Sequence, residues 1–105
     1  MLPNRESVNC AKVSGYKDAV AHGPGAYYFT HGPKYTCICI VVPGEGTPRC
    51  IPVNTGDETG WVWDRNEAAP SLLPSILAQG VRQDGSGETF EVWHGYMRAG
   101  RLESC

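Results

Sequence analysis

Cys37, Ile38 and Cys39 are the first residues of the chain whose types and spacing could do chemistry. On a strand, positions i and i+2 leave the same face, so both sulfurs would point one way and could share a tetrahedral metal. His94 and Cys105 fall on a hairpin expected at the C-terminal end. Together, Cys37, Cys39, His94 and Cys105 make a Cys3His set, a composition that structural zinc sites use. The set holds no C-x-x-C pair, and its members come from distant segments. The other reading of Cys37 and Cys39 is two small buried apolar residues, as free cysteines often are. His94 could instead act as a general base beside a cysteine, with Asp64 or Asn66 to orient it. Spacing alone fixes none of those distances. His22 and His31 stand in Gly/Pro-rich loops and read as solvated, as does the adjacent acidic pair Asp57 and Glu58. No Walker A loop, G-x-S-x-G elbow, H-E-x-x-H helix or dinucleotide fingerprint occurs. The chain is therefore read as a non-enzyme.

The densest chemistry lies in Trp61 to Ile76, WVWDRNEAAPSLLPSI. Trp61 and Trp63 share a face if the segment is a strand, and Val62 takes the other. Two indoles on one face make either the centre of a small core or an aromatic binding patch, each needing a partner for its N–H. With Asp64 and Asn66 beside them, they form a candidate binding surface. The same two polar residues suit a strand exit, because their side chains bond local backbone. Pro70 and Pro74 exclude a regular helix from Ala69 to Ile76 and leave Ser71-Leu72-Leu73 extended.

The elements that must position these residues are short. Glycine 13 and proline 8 in 105 residues punctuate the chain often, which favours many brief strands over long helices. Ala26–Thr30 and Tyr35–Val42 are strand-like runs around the turn His31–Lys34, and so predict a hairpin. Cys10–Val13 reads as a short edge strand or as a segment packed over the core. Ser14–Gly25 reads as loop, with at most one helical turn near Asp18–Ala21. Pro52 makes Arg49–Val53 an edge strand. Gln79–Gly87 reads as a surface loop. Between Glu88 and Met97, Phe90, Val92 and His94 alternate with Thr89, Glu91 and Trp93. Ala99-Gly100 would turn this strand back into Arg101–Cys105. The expected fold is one all-β domain over 1–105, a sandwich or partly open barrel of about six to eight short strands.

A net charge of −2 without a basic stripe points away from a nucleic-acid partner. Met1 to Glu6 has no apolar core segment, and the longest apolar run, Cys37–Val42, is strand-sized. A cytoplasmic protein is expected, and there five cysteines read as thiols or metal ligands rather than disulfides.

The pattern W-x-W-D-x-N-x-x-x-P-S-L-x-P-S-I, Trp61 to Ile76, is followed by W-H-G-Y-x-x-x-G-x-x-x-S-C, Trp93 to Cys105. The two resemble a family of small phage and bacterial proteins, some of which carry an "ammonia monooxygenase" label. The likeness covers about half of the chain. The family's cysteines, in an upstream strand and just before W-H-G, imply zinc binding. Here Glu91 and Val92 precede Trp93 where a relative offers a cysteine. Either Cys105 substitutes, or the site has decayed to a metal-free core. An oxygenase centre would want several histidines, and only His94 is well placed.

The resemblance implies a phage or mobile-element protein that binds a host defence or nuclease component, as anti-CRISPR inhibitors do. Tyr27, Tyr28, Tyr35 and Tyr96 are the natural aromatic anchors. The alternative is a small zinc-stabilised structural module. An enzyme built on His94 and Asp64 is the third reading. Exposed sheet edges would allow a dimer.

Overall fold

The computed structural model describes residues 7–57 and 60–105. The N-terminal residues 1–6 and Glu58 of the acidic pair lie outside the described residues. Ten strands and one helix follow in order: β1 Ser7–Asn9, β2 Ala11–Lys12, α1 Tyr16–His22, β3 Ala26–His31, β4 Thr36–Ile40, β5 Arg49–Val53, β6 Val62–Trp63, β7 Leu72–Leu73, β8 Ile76–Val81, β9 Thr89–Arg98 and β10 Arg101–Ser104. The all-β expectation holds, and the architecture is an open sandwich. One sheet has the order β1-β10-β9-β8, the other β2-β3-β4-β5, and β6-β7 forms a two-stranded ribbon.

Alternation along each strand decides what faces the core. On the β2–β5 sheet, Tyr27, Ile38, Ile40, Ile51 and Val53 point inward. They meet Ile76, Ala78, Trp93, Met97 and Leu102 from the β1–β8 sheet, and Leu72 from the ribbon. Burying a residue of the Leu or Ile class stabilises by about 1.5–3 kcal/mol, so this layer is the main source of cohesion. A smaller cluster, Ala19, Ala26 and Val41, lies beneath α1 on the opposite face of the β2–β5 sheet.

Several elements differ from the sequence reading. The first strand is two strands: the chain leaves β1 at Cys10 and joins the other sheet as β2, parallel to β3. Helix α1 is longer than one turn because Ala19 buries into the small cluster. Strand β8 continues to Val81 through what reads as loop, since Gly80 pairs with Phe90 and leaves room for its ring. The register shifts between Ala78 and Gln79, so Val92 has no opposite residue. That bulge breaks the alternation, and Val92 and Trp93, which the pattern puts on opposite faces, both pack against the core. The β9–β10 turn is Ala99-Gly100 as expected, both with positive φ, the backbone that tight hairpins need. Gly100 also leaves room there: a Cβ would lie 3.1 Å from the Ala69 Cα.

Candidate functional site

The four residues of the expected zinc set do not meet. Ile38 and Ile40 face the core, so Cys37 and Cys39 leave the outer face of their sheet. Trp93 and Met97 face the core from β9, so His94 leaves the outer face of the other sheet. The packed core stands between the two pairs. His94 and Cys105 do adjoin, with the Cys105 N–H donating to the His94 carbonyl at 3.0 Å. Cys39 is joined to Cys50 as a disulfide, a pairing that corrects the reading of all five cysteines as thiols or metal ligands. With that sulfur bonded, the Cys3His set does not fit zinc. Among the described residues no three His, Cys, Asp or Glu side chains gather as metal ligands.

The tryptophan segment is a joint between the sheets. Trp61 and Trp63 pack against the core while Val62 points to solvent. The Trp61 indole donates to the Ser75 carbonyl at 3.3 Å and that of Trp63 to the Asn66 carbonyl at 3.2 Å. Trp63 also lies 4.8 Å from the Phe29 ring, centroid to centroid. Asp64 Oδ1 accepts from the N–H groups of Asn66 and Ser71, and Asn66 Oδ1 accepts from those of Ala68 and Ala69. The loop so knitted accepts the Tyr27 hydroxyl at the Glu67 carbonyl, 2.7 Å away. On the other side it meets the β9–β10 turn, where Gly100 N–H donates to Pro70 and Ala99 N–H to the Ser71 hydroxyl. Lys12 pairs with Glu67 at 2.9 Å and holds that carboxyl below its ordinary range, first through the hydrogen bond.

The other tyrosines divide. Tyr27 is buried, so it serves the core and not a binding surface. Burial, with Cys10 and Glu67 nearby, pushes its hydroxyl up. Tyr28 packs against the cluster under α1. Tyr96 lies on the outer face with Arg98 stacked 4.3 Å from its ring. Tyr35 is 46 % exposed. It immediately precedes β4 and lines two surface hollows. One, of about 220 Å³, is lined by Thr30, Gly32, Pro33, Lys34 and Cys37 as well as Tyr35. The other, of about 150 Å³, is lined by Tyr35, Thr36, Val53, Asn54, Trp63 and Arg65. The turn beneath is closed by Gly32 N–H to the Tyr35 carbonyl at 3.0 Å. Asn54 secures the second hollow, exchanging two hydrogen bonds with the Trp63 backbone.

Sequence reasoning passed over Asn54 and Ser75. The Ser75 hydroxyl lies 2.9 Å from His94 Nε2, within reach for a nucleophile and base. Neither Asp64 nor Asn66 bonds His94, since both side chains serve the loop. The pair thus has no third group from the expected set. His94 stands in the W-H-G pattern and Ser75 in the P-S-I that ends the tryptophan motif, but nothing in either pattern marked the two as partners. No family model, curated protein or solved structure matches the chain.

Proposed function

We propose that the protein acts by binding a partner protein, without catalysis, through the Tyr35 end of the β2–β5 sheet. The observation that carries this reading is Tyr35, an exposed aromatic on a short hairpin turn that lines two hollows. A tyrosine in that position offers a large amphipathic contact at low conformational cost. Lys34 lines one hollow and Arg65 the other, which suits an acidic partner surface. The likeness of Trp61–Ile76 and Trp93–Cys105 to small phage and bacterial proteins makes a host defence or nuclease component the proposed partner. Inhibition of the anti-CRISPR kind would be the consequence, in the host cytoplasm.

The test is affinity capture from a bacterial lysate at moderate salt, with partners identified by mass spectrometry. We expect one stoichiometric host protein with the native chain, its loss with Tyr35→Ala, and its retention with Tyr96→Ala. Equal capture by native protein and Tyr35→Ala would overturn the assignment of the surface.

A further inference from the structure

The outer face of the β2–β5 sheet carries three sulfurs in two neighbouring rows. Cys39 on β4 and Cys50 on β5 stand in register and are bonded to each other. Cys37, two residues before Cys39, leaves the same face as a half-buried free thiol. The two sulfurs of the disulfide differ in access: Cys39 is fully buried and Cys50 is exposed on the edge strand.

Thiol–disulfide exchange needs a thiolate to reach one sulfur while the other departs. Only Cys50 is open to that approach. The bond also joins strands already paired over five positions, from Thr36↔Val53 to Ile40↔Arg49. Ile38 and Ile51, paired on the core face of the same two strands, anchor them through apolar burial that does not involve the sulfurs. The sheet can therefore lose this bond and keep its register.

We propose that Cys50 is a site of reversible thiolation by small monothiols of the glutathione class. The incoming thiolate forms a bond to Cys50 Sγ, the bond to Cys39 breaks, and Cys39 takes the proton that the incoming thiol gave up. No oxidant is needed, because one disulfide replaces another. The reverse step is Cys39 attacking Cys50 and expelling the small thiol. A free thiol cannot gain the adduct from a reduced reagent, so Cys37 and Cys105 are internal controls. The inference stands apart from the partner-binding reading, and its test needs no partner.

The folded protein, purified without reductant, is incubated anaerobically with graded reduced glutathione, then acid-quenched, alkylated and digested. Trypsin separates Cys50 from the peptide carrying Cys37 and Cys39 by cutting after Arg49. The expected result is loss of the crosslinked peptide, a glutathione adduct on Cys50, a newly alkylated Cys39, and an unchanged circular dichroism spectrum. Cys39→Ser, with no bond to exchange, is expected to give no adduct. A crosslink that survives until the fold is lost overturns the proposal. So does an adduct on Cys39 or Cys105 in place of Cys50, or a starting protein with five free thiols.

Discussion

The segment from Trp61 to Ile76 and the hairpin turn from Gly32 to Tyr35 make opposite use of their polar and aromatic groups. In the first, the two indoles, the Asp64 and Asn66 oxygens and the backbone near Pro70 all bond within the protein. In the second, Tyr35 stays at the surface, where it lines two hollows. A residue-rich motif can thus be a joint, while a plain turn supplies the exposed anchor. The reason for the contrast is that Asp and Asn oxygens bond nearby backbone N–H groups and fix a loop even at the surface, so concentrated Trp, Asp and Asn often mark a place where loops are tied down.

The sharpest way to break this comparison is in the joint. Leu72 is 1 % exposed and lies within the motif. Leu72→Ala is expected to cost about 2–5 kcal/mol, read as a lowered denaturation midpoint. Asn66→Ala removes two exposed hydrogen bonds to the Ala68 and Ala69 N–H groups and is expected to cost about 0.5–1.5 kcal/mol; a loss below experimental error would deny the loop its structural role.

A subtler effect lies at Cys10, whose N–H bonds the Gly100 carbonyl at the edge of the joint. Burial raises its thiol from the ordinary 9.0 to about 11. The unfolded chain then loses this proton first, so the contribution is complete below pH 9.0 and declines as pH rises towards about 11. Stability measured across that window should fall less steeply in Cys10→Ala. Tyr27, raised in the same direction by burial, adds to the alkaline loss in both proteins. The smallest effect belongs to the hairpin: Tyr35→Ala should change stability by only about 0.5 kcal/mol or less, while partner capture is lost. A large drop in melting temperature would make Tyr35 structural and erase the contrast.

Much of the fold was legible in local pattern. The Ala26–Val42 hairpin, the Pro52 edge strand and the Ala99-Gly100 turn each follow from period-two alternation, missing donors or turn chemistry. The bulge at Val92 was not, because an unpaired residue is defined by its partner strand. Nor was the split of Cys10–Val13 between sheets, since either sheet can accept a two-residue strand. Of the candidate site, the Trp61/Trp63 shared face was readable, and its use as core or surface was an open choice.

The sequence by itself determined the short-strand architecture, the extended course between Pro70 and Pro74, and the facing of Cys37 with Cys39, because these depend on backbone geometry over a few residues. Tertiary structure alone decided that Cys39 would meet Cys50, that His94 would meet Ser75, and that Tyr27 would be buried while Tyr35 is not. Those outcomes rest on strand register and on which sheet covers which face, and both are set by contacts between residues far apart in the chain.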